Sequence, residues 1–350
     1  MRLPSLLLTL SLVTAACTRG PLAGSPDDRS LIVGRASDAI SLDPARITDS
    51  ESVEACEQIY EHLVRQRPGD GQIEPELARS WEHADDLATW TFHLREGVRF
   101  HDGSPFDADA VLFSFDRQRD PKHPAFENDF TYPEVFVDIL AIEKVDALTV
   151  RFRLGHAYAP FLANLAMYPM SIVSPSEVRR HGRSYPQHPS GTGPFRFVEW
   201  LPGERLVIEA NPDYWGERPK VRRVVFVPVP DPRQRLVKLE AGAVDVAENL
   251  APQDLQFVPL HPSLSQTRAR AQNVAYLAMN TRHPPFDDVR VRRAVELAID
   301  REALVKLVYQ GLGEVAQSPL PPSMWGHFAV PLPKPDLGRA RQLLAEAGVH

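Results

Sequence analysis

Thr89-Trp90-Thr91-Phe92-His93-Leu94-Arg95-Glu96-Gly97-Val98-Arg99-Phe100-His101-Asp102-Gly103 is the stretch from which the fold is read. Trp90, Phe92 and Leu94 alternate with Thr91, His93 and Arg95, the period of a strand with one buried face. Glu96-Gly97 then ends the strand in a turn. Just downstream, Asp107 stands where a helix cap belongs, ahead of Ala110, Val111, Phe113 and Ser114. Leu148, Val150, Phe152 and Leu154 alternate with Thr149, Arg151 and Arg153 and predict a second strand. Phe195–Val198 and Leu206–Ile208 read as hairpin arms around Pro202-Gly203, and Arg223–Val227 is continuous enough for a strand buried on both faces. Upstream, Leu31-Ile32-Val33-Gly34 is a short apolar strand; downstream, Val274–Met279 reads as another. Asp288, Asp300 and Pro335-Asp336 open three helices, the last stopped by Gly348. Strands and helices intermix along the chain, which predicts an α/β fold.

The 350 residues are 43% apolar and 24% charged, ordinary globular composition with length enough for two domains. The net charge of −7 comes from interspersed signs with no long basic block, so nucleic acid is not an expected partner. Met1-Arg2, the apolar run Leu3–Val13 and Ala15-Ala16-Cys17 read as a signal peptide over residues 1–16, too short to cross a bilayer. The small residues before Cys17 resemble a lipobox, in which the cysteine is lipidated; Thr14 stands where a larger aliphatic residue is commoner. The alternative is plain secretion. Residues 17–30 are small, polar and Pro/Gly-rich, the composition of a tether. With Cys17 lipidated, Cys56 has no cysteine to pair with, and its helical surroundings mark it as a small core residue.

Catalytic signatures are missing from the sequence: neither Gly-x-Ser-x-Gly nor His-Glu-x-x-His occurs. Gly191-Thr192-Gly193-Pro194 departs from a dinucleotide loop, because Arg196 occupies the third glycine position, Pro194 lacks an amide and a strand follows. His101-Asp102-Gly103-Ser104-Pro105 is turn chemistry, and Asn211-Pro212-Asp213-Tyr214-Trp215-Gly216 reads as a structural corner. The 12 histidines are dispersed without metal-ligand spacing, so no metal or cofactor is expected.

Taken in order, Glu74–Glu82, Thr89–Gly103, Phe106–Val111, Gly191–Phe195, Asn211–Gly216, Leu239–Asp245 and Val291–Arg301 resemble the peptide/nickel-type solute-binding proteins of ABC importers. The resemblance runs from about Leu31 to the end. It implies a two-lobed, periplasmic-binding-protein-like fold that closes on its ligand by a hinge. Residues 31–55 and 173–270 would form the first lobe, 56–172 a subdomain inserted into it, and 271–350 the start of a second lobe. Family members continue past the position matching His350, so the second lobe is expected to be truncated. The function implied is extracytoplasmic capture of a small solute, peptide by default, by a monomer that delivers it to a membrane permease. Nickel complexes, haem and sugars stay open as solutes. No enzyme activity is expected; a secreted peptide hydrolase and a binding lipoprotein turned to signalling are the rival readings.

For the ligand, the resemblance points to the loop after the first strand, where Thr48, Asp49, Ser50 and Ser52 offer short polar side chains. Asp49 or Ser50 can equally cap the next helix. Tyr168 and Met170 fall where the family places apolar cleft residues, and Asn280 is expected near the lobe junction.

Overall fold

The computed structural model describes residues 30–68, 71–268, 273–322, 324 and 326–349; the expected signal peptide, Cys17 and the tether up to residue 29 lie outside them. Along the chain run β1 (Ser30–Arg35), α1 (Ser50–Ile59), β2 (Val64–Gln66), β3 (Ile73–Pro75), β4 (Ala78–His83) and β5 (Thr89–Leu94). Next come α2 (Ala108–Arg119), β6 (Ile139–Asp146), β7 (Thr149–Leu154), α3 (Phe161–Leu165) and α4 (Pro175–His181). They are followed by β8 (Phe195–Leu201), β9 (Arg205–Ala210), β10 (Arg223–Pro228), α5 (Pro232–Glu240), β11 (Val246–Ala247) and α6 (Pro252–Leu255). Three helices, α7 (Val289–Ala298), α8 (Arg301–Val308) and α9 (Leu337–Glu346), close the order.

The apolar run of β10 lies in the middle of a mixed sheet of order β11-β1-β10-β9-β8. β1 pairs in parallel with β10 and β11, whereas β8, β9 and β10 are antiparallel, β8 and β9 turning at Gly203 with φ of +76°. Val33 stands opposite Phe226, and these residues with Leu206, Ile208 and the α1 residues Ala55, Cys56 and Ile59 form one core. Burial pushes the Cys56 thiol well above its ordinary pKa, as befits a packing residue. The second sheet, β4-β5-β7-β6, is antiparallel throughout. Its alternation puts Phe92 and Phe152 on one face, edge-on at 5.5 Å, where Phe115 of α2 and Phe161 of α3 join a second core. Asp107 caps α2 by accepting from the Ala110 amide at 3.1 Å.

Phe113 of α2 apart, the buried core residues change core between Tyr60 and Leu63 and again between Ile172 and Val173. Glu61, only 3% exposed, sits at this crossing. Its Oε2 accepts from Thr192 Oγ1 at 2.7 Å and Trp215 Nε1 at 2.8 Å, and its Oε1 from the Tyr214 hydroxyl at 2.8 Å. Its carbonyl takes the Ile172 amide at 2.9 Å. Two motifs separated by some twenty residues are thereby tied to one carboxylate. Gly191 and Gly193 are required for a different reason: a Cβ on them would lie 2.1 Å and 2.6 Å from the carbonyl oxygens of Ile59 and Gln58. The Gly193 amide donates to the Ile59 carbonyl at 2.9 Å across that approach. The glycines therefore serve chain packing, and Arg196 and Pro194 stand where the sequence excluded a nucleotide loop.

Beyond residue 272, α7 and α9 pack on a small core of Ala294, Ala340 and Leu343. The Asp336 amide donates to the Leu297 carbonyl at 2.9 Å, and Arg290 to the Glu346 carbonyl at 2.6 Å. One expectation is corrected here. Val274–Met279 is not a strand: residues 273–280 join no ladder among the described residues, and Tyr276 is 83% exposed. Alternation supplies the period, but a strand exists only beside a partner.

Glu61→Ala should leave three donors unpartnered and lower unfolding free energy by roughly 3 kcal/mol or more in denaturant titration. Gly191→Ala should also destabilise, through displacement of the Ile59 backbone, and a variant as stable as the parent would contradict the close approach.

Candidate ligand-binding site

Loop 36–49 leaves the carboxyl end of β1, the position from which open α/β sheets present ligand-binding loops. Its underside is fixed by buried polar bonds. The Asp43 amide donates to Ser41 Oγ at 3.1 Å, while the Asp43 Oδ1 accepts from the Ala45 amide at 3.1 Å. Arg117 of α2 donates to both Asp43 oxygens, at 3.2 Å for Oδ2. Both partners are 2% exposed, and the guanidinium lies 5.4 Å from the Phe130 ring centroid and 5.7 Å from that of Tyr185. The Tyr60 hydroxyl donates to the Leu42 carbonyl at 2.9 Å, and Thr131 donates its amide and hydroxyl to the Ala45 carbonyl at 3.0 and 3.1 Å. Arg46 bridges Glu127 and Asp129, the latter at 3.0 Å.

Above this base the candidate residues separate into two groups. Thr48 and Ser50 are exposed. Asp49 caps α1, its Oδ1 accepting from the Ser52 amide at 2.8 Å, so the capping alternative holds for Asp49. Its Oδ2 is buried without a hydrogen-bond partner among the described residues. Ser52 is fully buried, and its Oγ accepts from the Ile40 amide at 2.8 Å and the Ser41 amide at 3.3 Å. Its side chain shapes the loop from beneath and offers no open group to a ligand.

Tyr168 is brought to the same place. It opens a short 3-10 turn, Tyr168–Met170, that packs against the 3-10 turn Pro44–Arg46. Its ring meets Tyr132 edge-on at 5.7 Å, and burial, with a hydrogen bond to the Tyr132 phenol, pushes its hydroxyl pKa up. Met170, 1% exposed, belongs to the core of the second sheet. Asn280 stands apart: it is exposed, and its Oδ1 accepts from the Arg282 amide at 3.0 Å. The crest is thus Thr48, Asp49 and Ser50 beside Tyr168 and Tyr132. Sequence reasoning did not single out Tyr132, whose only local signal is the following Pro133, nor the Asp43–Arg117 pair, whose partners are 74 positions apart.

A polar depression of about 230 Å³ lined by His101, Asp102, Glu177, Ser190 and Arg196 shares no residue with that crest. Ser190 Oγ is buried there without a hydrogen-bond partner among the described residues, while the histidine and the aspartate are occupied with structure. His101 is paired to Gly193 O and the Gly191 amide, and burial lowers its pKa to about 4, leaving it neutral. Asp102 accepts from Ser104 and from Ser174 Oγ at 2.6 Å, the turn chemistry read in the sequence.

The collinear motifs and this loop geometry can now be set beside known proteins. The profile of bacterial extracellular solute-binding proteins, family 5, matches residues 72–350. The chain belongs to that family. Heme-binding protein A of Haemophilus influenzae is 37% identical over 98% of this chain and 68% of its own length. Di/tripeptide-binding protein 1 of Pseudomonas aeruginosa is 36% identical over 88% of this chain and 61% of its own. Among solved structures, an ABC transporter-associated periplasmic binding protein from Helicobacter pylori in complex with the peptide STSA superposes with a TM-score of 0.84 at 32% identity, covering 91% of this chain and 66% of that one. This family 5 chain therefore spans about two thirds of the length of the relatives it matches. Its fold is the α/β, two-lobed binding-protein type, and its relatives are binding proteins rather than enzymes.

Asp43→Ala should strand Arg117 as a buried unpaired cation and cost about 3–5 kcal/mol in equilibrium unfolding. Thr48→Ala and Ser50→Ala, on the exposed crest, should change stability by less than about 0.5 kcal/mol.

Proposed function

We propose that this protein is the capture component of an ABC importer, binding peptide-like solutes beside the Thr48–Ser50 crest and delivering them to a membrane permease. The family match over residues 72–350 carries this reading. The crest adds chemistry suited to a peptide: short hydroxyls for main-chain groups, and the Tyr132 and Tyr168 rings for side chains. Micromolar capture needs about −8 kcal/mol, which a few hydrogen bonds and one or two apolar contacts supply on a loop already held rigid.

The protein works outside the cytoplasm as a monomer, attached through lipid on Cys17. Residues 31–55 and 173–270 form its first lobe, 56–172 the inserted subdomain, and the second lobe begins at 271. The change of core at Tyr60–Leu63 and at Ile172–Val173 supports that division.

Thermal melting with and without di- to pentapeptides tests the binding. A ligand at one hundred times its Kd adds about 2.7 kcal/mol to folded-state stability, so the melt should rise with a subset of peptides. Labelled peptides should be retained uncleaved, and Thr48→Ala or Ser50→Ala should weaken retention roughly fivefold each, the worth of one hydrogen bond. Peptide cleavage, or a melt indifferent to every peptide, would count against the reading. Separately, Cys17→Ala should move the protein from the membrane to the soluble fraction.

A further inference from the structure

Arg35, the last residue of β1, has no solvent exposure. Its Nη1 donates to the Glu51 carbonyl at 2.7 Å, and its guanidinium lies 4.4 Å from the centroid of the Phe226 ring. Asp38 comes no nearer than 3.9 Å to Nη2 and is held elsewhere, by Trp200 Nε1 at 3.0 Å and the Gly203 amide at 2.8 Å. Among the described residues, Nε and Nη2 of Arg35 have no hydrogen-bond partner, and Oε2 of Glu54 and Oε2 of Glu248 are likewise buried without one.

Glu54 and Glu248 reach this place from different elements. Glu54 belongs to the second turn of α1, just past the Asp49 cap and Ser50. Glu248 directly follows β11; its amide donates to the Gly34 carbonyl at 3.0 Å and its carbonyl accepts from Arg235 Nε at 3.0 Å. The charged groups around Glu54 are Arg35 from β1, Glu51 from its own helix and Glu248 from the segment after β11. Asp38 and Glu248 also act on Arg35. Arg235 of α5 spends its guanidinium on the carbonyls of Val229, Pro230, Glu248 and Asn249. One buried cation thus faces several carboxylates. Two carboxyls brought together with too little positive charge cannot both ionise cheaply, and a shared proton relieves the excess.

We propose that a proton held by Glu54 and directed to Glu248 forms a clasp between α1 and the segment leaving β11, closed in acid and loosened in alkali. Burial, then the neighbouring Glu248, raises the Glu54 carboxyl from 4.5 to about 7. The folded chain therefore holds a proton that the unfolded chain has lost between these values. The contribution of the clasp is complete below pH 4.5 and is lost as pH rises through about 7. Because α1 also carries the cap residue and Ser50 of the crest, the clasp sets how firmly the candidate ligand loop is tied to the sheet.

The full chain, labelled with 13C at the glutamate carboxyls and titrated by NMR, tests this, together with melts from about pH 5 to 8.5, a range spanning the ordinary and raised carboxyl values. A glutamate signal should titrate near neutrality, disappear in Glu54→Gln and move down by at least about one unit in Glu248→Gln. Glu61, which burial and Glu76 also raise to about 7, is told apart because its signal persists in Glu54→Gln. The parent's Tm should fall across this range more steeply than that of Glu54→Gln, which at pH 8 should melt about 2–4 °C higher. Loss of no near-neutral signal in Glu54→Gln, or Tm profiles that run parallel, would overturn the proposal.

Discussion

The arrangement of the described residues up to 268 depends on a carboxylate that is only 3% exposed. Glu61 stands between two cores and accepts from a threonine, a tyrosine and a tryptophan supplied by two later segments. A buried carboxylate without partners costs several kcal/mol, so Glu61 imposes a requirement that Thr192, Tyr214 and Trp215 meet together or not at all. That mutual dependence converts three separate segments into one joint. The glycines at 191 and 193 make the joint possible by letting the chain pass against the end of α1. The two sheets are thereby fixed relative to each other by polar geometry as well as by apolar burial, which is non-directional.

The same principle holds the candidate ligand loop. A loop that carries binding groups must run over the surface, yet a loose loop must be ordered on binding. Here the polar bonds of Asp43, Arg117, Tyr60 and Thr131 lie beneath the loop and leave Thr48 and Ser50 outward. Rigidity comes from the buried side and chemistry from the exposed side. Ser52 belongs to the first category although its residue type fits the second; its hydroxyl is engaged by the amides of Ile40 and Ser41.

Much of the fold was legible because it follows from local rules. Aspartates 107, 288, 300 and 336 each cap the helix they were expected to open, and the strands at 89–94, 149–154, 195–201, 205–210 and 223–228 follow their alternation or apolar runs. Where a partner decides, local reading ran out. Val274–Met279 has the pattern of a strand and no ladder, because pattern cannot supply a neighbour. In the site, Asp49 and Tyr168 come together, whereas Met170 is core and Asn280 stands apart. Asp43 caps the Pro44–Arg46 turn through the Ala45 amide, a local role; its second role, as the partner of Arg117, spans 74 positions and leaves no mark in either local pattern.

Asp43 and the Glu54–Glu248 pair differ in how their charge is met, and the difference follows from their neighbours. Asp43 faces a guanidinium that donates to both its oxygens, so its charge is matched and the pair acts as a fixed pin. Glu54 and Glu248 face a guanidinium that donates to neither Oε2, so charge is left over and a proton becomes part of the structure. The pin lies under the loop that presents the crest, and the unmatched pair lies where α1 meets the strand leading onward in the chain. The pin fixes the loop from beneath, and the unmatched pair leaves the tie between α1 and the segment after β11 adjustable.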